Sequence, residues 1–177
     1  MQLLTPRLML RRWRDSDRAP LAAITADALT MRFFASPRTV AQSDAWMART
    51  DAHFGRHGFG IWAVELREQA RLIGFVGLST IPEYLPLPAG VELVWTLGAA
   101  SWGRGYAPEA AAAAAADGFA RFGFPELFAF TAAVNAPSRR VMAKLGMRLD
   151  PLAGFEHPLL PVGHPLARHV TCRLAAP

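Results

Sequence analysis

The chain has 177 residues, of which 52% are hydrophobic, and 19 lysines and arginines against 14 aspartates and glutamates give a formal charge of +5. This length allows one substantial core and excludes two ordinary domains, so we expect a single domain over residues 1–177. Lys144 is the only lysine, so nearly all of the cations are arginines. GC-rich coding also enriches arginine, and we therefore do not expect a nucleic-acid partner from charge alone.

The first half of the chain predicts a strand, two helices and a hairpin. Residues 5–13 alternate apolar and polar side chains, which predicts a strand with one wet face. Asp15 and Asp17 are candidate caps for a helix that continues to about residue 24. A second helix is predicted over 40–56 from apolar residues at helical spacing, and an antiparallel hairpin from the apolar runs 61–66 and 72–78.

The second half predicts three strands and two helices after a proline-rich loop over 82–90. In chain order these are a strand over Val91–Leu97, a helix from about Pro108 to Gly123, a strand over 127–134, a basic helix ending near Leu145, and a strand over His169–Leu174. Because the first three form a strand, a crossover helix and a strand, we expect the two strands to be parallel.

The single cysteine indicates a protein of a reducing compartment, and the spacing of the histidines does not indicate a metal site. Cys172 is the sole cysteine, so no disulfide can form within the chain. The start of the chain lacks the pattern of a signal peptide, and no apolar run is long enough to span a bilayer, so we expect a cytoplasmic protein with no membrane partner. The spacing of His157, His164 and His169 matches no compact zinc pattern, so we expect no metal.

A glycine-rich turn, Trp102–Glu109, connects the predicted strand Val91–Leu97 to the alanine-rich helix. Amides at the start of a helix have no acceptor within the helix, and the helix dipole favours negative charge there. Glycine at 103 and 105 allows close approach and positive φ. This turn is therefore a candidate cradle for a phosphate, although a turn of this kind is weak evidence when it stands alone.

Three segments in a fixed order extend the turn to a family resemblance. They are Trp102–Ala110, then Asn135–Met147, then Phe155–Pro158 with Gly163–Leu166 and His169, and the opening Leu4–Arg11 agrees with them. Together they resemble the GNAT superfamily of acetyl-coenzyme A-dependent N-acetyltransferases, and within it the RimJ/RimL-like (ribosomal-protein N-terminal acetyltransferase-like) subgroup. The resemblance implies an α+β (mixed α/β) fold, with a twisted, mixed sheet of six or seven strands and helices on both faces.

The resemblance also implies which residues bind acetyl-coenzyme A. The strands Val91–Leu97 and 127–133 splay apart in such folds, and the pantetheine arm lies between them. The implied contacts are Leu97, Trp102, Gly103, Arg104, Gly105, Tyr106, Ala107, Asn135, Ser138 and Arg140. Trp102 stands where much of the superfamily has Arg or Gln, which the binding tolerates because the cradle consists of main-chain donors.

The candidate catalytic residues are Glu92, Asn135 and Ser138. Glu92 is the leading general base, since an ammonium group must lose a proton before it attacks a thioester; an exposed strand residue is the alternative. Asn135 is either a contact of the reacting groups or a turn residue. Ser138 is a helix cap, a partner of the coenzyme sulfur, or both. Met142 replaces the tyrosine with which many relatives protonate the thiolate.

These residues predict direct transfer of acetyl to a primary amine in a ternary complex, without a covalent enzyme intermediate and by a monomer or homodimer. The alternative is a non-catalytic acetyl-coenzyme A sensor or scaffold, which the methionine at position 142 motivates. The acceptor is either a protein N-terminus or a small-molecule amine. Candidate acceptor contacts are Met31, Phe33, Phe34, Trp46, Glu83, Tyr84 and the rest of the 82–90 loop.

Overall fold

The computed structural model describes residues 2–177 as one eight-stranded sheet with four α-helices. The strands are β1 (Gln2–Leu4), β2 (Leu8–Arg11), β3 (Ile61–Leu66), β4 (Arg71–Thr80), β5 (Val91–Leu97), β6 (Glu126–Ala132), β7 (Arg148–Glu156) and β8 (Arg168–Ala175). The helices are α1 (Arg18–Ala26), α2 (Val40–His57), α3 (Tyr106–Phe122) and α4 (Ala136–Lys144). In the part of the chain described, no helix is both long and apolar enough to cross a bilayer.

The strand order is β1-β2-β3-β4-β5-β6-β8-β7, and every neighbouring pair is antiparallel except β5 and β6. The helices cover both faces of the sheet. Alternate residues of β3 point to opposite faces, so Trp62 and Val64 pack in the cluster that contains α3, whereas Ile61 and Ala63 pack with α1 and α2. The mixed α+β fold implied by the resemblance is confirmed, including the parallel pair.

Two features of the sheet differ from the predicted elements and raise the strand number to eight. The strand predicted over 5–13 is the shorter β2, and a further strand, β1, precedes it, because the chain turns at Thr5, whose amide donates to the Leu8 carbonyl at 3.0 Å. The strand β7 is not predicted at all. It is an edge strand with mostly exposed or half-buried side chains and contains Pro151, so it lacks the apolar alternation that marks a buried strand.

A buried ion cluster joins the N-terminal strands to the rest of the sheet. Arg11 on β2 is only 5% exposed, and its guanidinium donates to both carboxylate oxygens of Asp17 at 2.7 and 2.8 Å and to Glu65 on β3 at 2.8 Å. Asp17 also accepts the Arg14 amide at 2.8 Å. Both carboxylates are buried, and Asp17 is compensated by Arg11, whereas Glu65 also lies 3.7 Å from Arg14 Nη1.

We expect Arg11→Met to lower the free energy of unfolding by about 3–5 kcal/mol, because it leaves the buried Asp17 without its cation and Glu65 with only the more distant Arg14. The control is Arg12→Met, which removes a neighbouring arginine that pairs with the half-exposed Asp51 and which should cost less than about 1 kcal/mol. Urea unfolding near neutral pH measures both. Equal losses in the two variants would contradict this interpretation of the cluster.

Candidate active site

The gap between β5 and β6 opens a cleft in the middle of the sheet. The two parallel strands are paired only at Glu92 and Phe128, and their remaining residues have no ladder partners across the gap. A cleft of about 800 Å³ occupies this region and is lined by residues from both strands, from the 27–39 connection, and from the starts of α3 and α4. The splaying implied by the family resemblance is therefore present.

The strand β5 presents main-chain donors to this gap. On its other edge the Gly98 amide donates to the Ile73 carbonyl of β4 at 2.9 Å. Hydrogen-bonding directions alternate along an antiparallel strand, so the amides of Trp95 and Leu97 point to the edge that faces β6. Both residues line the cleft. These amides can donate to a carbonyl or amide group that enters between the strands.

The predicted glycine-rich turn lies at the mouth of the gap. Gly103 and Gly105 have φ of +76° and +78°, and Gly105 is the N-cap of α3. Among residues 2–177, the amides of Gly103, Arg104 and Gly105 have no acceptor, and those of Tyr106 and Ala107 belong to the first helical turn, which has none within the helix. Five consecutive amides are thus available to an anion, as in a turn that binds pyrophosphate.

A polar clamp from the N-terminal hairpin holds this turn. Glu109 accepts hydrogen bonds from the Thr5 hydroxyl at 2.6 Å and from Arg7 Nε at 2.7 Å, while Arg7 Nη1 donates to the Arg104 carbonyl at 2.9 Å. The Arg7 guanidinium also lies 4.6 Å from the ring centre of Tyr106. Burial opposes ionisation of Glu109, but the hydrogen bonds from Thr5 and Arg7 outweigh it and lower its pKa.

Trp102 fastens the turn to the end of β5. Its indole Nε1 donates to the Leu97 carbonyl at 2.6 Å, and the guanidinium of Arg32 lies 4.6 Å from its ring centre. The tryptophan at this position therefore combines a hydrogen bond to β5 with an aromatic face for Arg32, and neither arginine nor glutamine has such a ring. Arg104 is the one predicted coenzyme contact that does not line the cleft, although its backbone amide is one of the five without an acceptor in the described residues.

The start of α4 carries the other predicted contacts, with Asn135, Ser138 and Arg140 all lining the cleft. Asn135 Nδ2 donates to the Thr131 hydroxyl at 2.9 Å, and its Oδ1 accepts the Ser138 amide at 3.2 Å, so Asn135 is the N-cap of α4. The cap that the sequence allows for Ser138 thus belongs to Asn135. The Ser138 hydroxyl has no hydrogen-bond partner within residues 2–177 and is available to a ligand.

Met142 does not reach the cleft. It is 2% exposed and packs with Ala129, Met147 and Cys172 in a separate core cluster. A phenol is therefore absent from the α4 position where many relatives have one, and Cys172 is buried as a core residue. Among the described residues, the two tyrosines stand elsewhere: Tyr106 lines the cleft and Tyr84 lies outside the lining, near Glu92.

Glu92 is the single acidic side chain among the described residues that line the cleft. Its carboxyl group makes no hydrogen bond to residues 2–177, and burial raises its pKa to about 8. Burial also raises the pKa of Tyr84, with a smaller contribution from the charge of Glu92. Ser79 of β4 is the strand partner of Glu92 and Thr96 pairs with Phe75, so Glu92 and Thr96 face α1 and α2.

Two histidines of the cleft were not predicted to have a functional role. The ring centres of His157 and His169 lie 5.0 Å apart beside Phe155, which stacks on His169. His169 Nδ1 donates to the Ala167 carbonyl at 2.9 Å, which leaves Nε2 as an acceptor. Burial lowers the pKa of both histidines. Their proximity depends on the pairing of β7 with β8, and the sequence shows no local signal for β7.

The predicted acceptor contacts are divided by the structure. Phe33, Phe34 and Trp46 line the cleft, whereas Met31 lines a smaller adjoining pocket together with Phe34. The 82–90 loop, including Glu83, contributes no residue to the cleft lining. No group of three or more His, Cys, Asp or Glu side chains is arranged to hold a metal ion anywhere in residues 2–177.

The geometry agrees with a family match. The family model of the acetyltransferase (GNAT) domain matches residues 7–148, which include Arg7 and Glu109 of the clamp, the gap and the turn. The chain belongs to the GNAT acetyltransferase family. It is therefore an N-acetyltransferase, of a family that uses acetyl-coenzyme A.

Individual GNAT proteins resemble the whole chain. The uncharacterized N-acetyltransferase YnaD of Bacillus subtilis is 28% identical over 165 residues, which are 93% of this chain and 91% of that protein. An acetyltransferase structure from Agrobacterium tumefaciens is 26% identical with a TM-score of 0.80, covering 99% of this chain and 95% of the other. The microcin C7 self-immunity acetyltransferase MccE, solved with acetyl-coenzyme A and AMP, shares the fold at 13% identity, with a TM-score of 0.74 and coverage of 97% and 94%.

We expect Gly105→Asp to weaken acetyl-coenzyme A binding at least about tenfold more than Gly105→Asn does, a difference of about 1.4 kcal/mol. Both side chains are of similar size and tolerate the positive φ of this position, so the difference isolates the added negative charge. Isothermal titration calorimetry measures the two dissociation constants.

Gly123→Asp is the matched control, since Gly123 also has positive φ, at +64°, but lies at the far end of α3. It should bind acetyl-coenzyme A as the unsubstituted protein does. Equal dissociation constants for the Asp and Asn variants at position 105 would contradict an anion site in the turn.

Proposed function

We propose that this protein transfers the acetyl group of acetyl-coenzyme A directly to a primary amine, with both substrates bound in one ternary complex. The observation that carries this proposal is the arrangement of five unpaired amides, Gly103 to Ala107, at the mouth of a gap that also contains Glu92. The complex of MccE with acetyl-coenzyme A and AMP supports the choice of ligand.

Binding and orientation fall to the main chain in this proposal. The amides of the turn hold the pyrophosphate, and Arg140 and Lys144 of α4, which also line the cleft, attract the remaining phosphate charge. The thioester supplies an activated acyl group, and the Trp95 or Leu97 amide donates to its carbonyl oxygen. The reaction is accelerated chiefly because the thioester and the amine are bound close together and in the correct orientation.

Glu92 is the proposed general base. A carboxylate of ordinary pKa is a poor acceptor for an ammonium proton, and burial brings the pKa of Glu92 to about 8, close to that of a peptide α-amino group. Only the ionised form accepts a proton, so its contribution grows as pH rises through about 8. An acceptor amine that lies against the α1 and α2 face of β5 reaches this carboxylate.

Ser138 is the proposed partner of the departing sulfur. Its hydroxyl faces the cleft without a protein partner, whereas Asn135 has both polar side-chain atoms engaged in capping and in the bond to Thr131. Asn135 then acts by positioning the start of α4. A dedicated acid is dispensable because a thiol has an ordinary pKa of only about 8.5 and leaves readily as a thiolate.

A non-catalytic acetyl-coenzyme A sensor is the second candidate. The burial of Met142 favours it, since the phenol with which many relatives protonate the thiolate is absent from α4. The two candidates separate in a screen of free-thiol release with N-terminal peptides, amino acids, polyamines and aminoglycosides. Acetyl-coenzyme A binding without turnover on the whole panel would favour the sensor, and turnover with any acceptor would exclude it.

Glu92→Gln should lower kcat by about 10²–10⁴-fold, the usual contribution of a general base. With a primary alkylamine acceptor, whose own pKa is about 10.4, the unsubstituted protein should show a rise in kcat/KM with a midpoint of about pH 8. The Gln variant should lack this midpoint, and its rate should follow the free-amine fraction, which rises up to about pH 10.4. Initial rates across the pH range measure both effects.

Glu83→Gln is the control, since Glu83 is a carboxylate that does not line the cleft, and this variant should keep both the rate and the pH profile. A pH profile of Glu92→Gln that retains the midpoint at about pH 8 would assign the base to another group.

A further inference from the structure

Arg38 is an arginine of the cleft that has no anionic partner among the described residues. It immediately precedes the N-cap of α2, and its backbone amide donates to the Thr25 carbonyl at 2.8 Å. Its Nη1 is buried without a hydrogen-bond partner in the described residues. Burial, and secondarily the charge of Arg49, lower its pKa to about 10, so it remains a cation at neutral pH.

Several other arginines that are held by hydrogen bonds have carboxylate partners, whereas Arg38 has none among residues 2–177. Arg11 pairs with Asp17 and Glu65, and Arg173 pairs with Glu126 and Asp150. The guanidinium of Arg38 has instead the ring of Trp46, whose centre is 4.8 Å away. A cation–π contact offsets only part of the cost of a partly buried cation, and it leaves the buried Nη1 donor unused.

The position of Arg38 places it on the side of the acceptor. Trp46 packs on Phe75 of β4 with ring centres 4.3 Å apart, and Phe75 is the strand partner of Thr96 on β5. Thr96 and Glu92 share one face of β5 by alternation, and both line the same cleft as Arg38. The turn at 103–107 and the basic residues of α4 supply the cations and amides for the coenzyme phosphates, so Arg38 is not needed there.

We propose that Arg38 binds an anionic group, a carboxylate or a phosphate, carried by the amine acceptor, so that the substrates are amines with a negative charge apart from the reacting nitrogen. This inference rests on the proposed function for the identity of the ligand as an acceptor. Polyamines and aminoglycosides bring only further positive charge to a cleft that already contains Arg32, Arg140 and Lys144, and they are poor acceptors.

The kinetic test uses acceptor pairs that differ only in the anion. Short peptides with a free C-terminal carboxylate are compared with the same peptides as C-terminal amides, and phosphoethanolamine is compared with ethanolamine. Loss of a charged hydrogen bond in Arg38→Met should lower kcat/KM for the anionic member of a pair about 10- to 100-fold. The neutral member should change less than about threefold.

The control is Arg121→Met, because Arg121 covers the ring of Phe122 at 4.7 Å but does not line the cleft. It should leave the preference for anionic acceptors intact. If Arg38→Met lowers the rates of anionic and neutral acceptors equally, Arg38 contributes to packing and the proposal is overturned. A carboxylate-only or a phosphate-only effect identifies which anion the site accepts.

A binding measurement separates failure of this proposal from failure of the proposed function. With saturating coenzyme A to fill the turn, calorimetry follows the binding of glutarate and of inorganic phosphate to the unsubstituted protein and to both variants. Saturable binding of either probe that Arg38→Met abolishes and Arg121→Met retains upholds the anion site even if no amine is acetylated. Binding that is absent, or that Arg38→Met leaves unchanged, overturns it.

Discussion

The site depends on a single constraint, the interruption of the sheet between β5 and β6. Backbone amides inside a protein must have acceptors, and a continuous sheet would satisfy those of β5 with β6. Here the pairing is limited to Glu92 and Phe128, so the edge of β5 and the turn that follows it keep their donors for a ligand. The gap therefore sets the position of the coenzyme, and the acceptor face of β5 follows from the same strand.

The N-terminal hairpin holds the glycine-rich turn in place beside this gap. Arg7 and Thr5 hold Glu109 and the Arg104 carbonyl, so the shape of the turn depends on a segment about one hundred residues away in sequence. The buried pairing of Arg11 with Asp17 and Glu65 fixes the same hairpin to β3. Two arginine clusters thus support a binding surface that consists of backbone.

The cleft is also lined by four cationic side chains and one carboxyl group, and the pKa of about 8 leaves this carboxyl group mostly neutral at pH 7.

Local patterns were sufficient for most of the fold and for part of the site. The glycines at 103 and 105 and the strand–helix–strand order predict the turn and the parallel pair because φ and periodicity are local properties. The strand β7 is exposed, contains Pro151 and has no comparable pattern. Arg38 could not be predicted either, since a missing carboxylate partner is a property of tertiary packing. The sequence predicted Asn135 as a contact of the reacting groups or a turn residue and Ser138 as the helix cap, whereas the bonds to Thr131 and Ser138 show that Asn135 caps α4.

The most direct measurement is amide hydrogen exchange of the Gly103–Ala107 segment with and without coenzyme A. Because these amides have no acceptor among the described residues of the protein, they should exchange rapidly in the free protein. Coenzyme A should slow their exchange, while amides in the middle of α3 stay as protected as before. Slow exchange of this segment in the free protein, or an unchanged rate at saturating coenzyme A, would contradict the assignment of the turn as the coenzyme cradle.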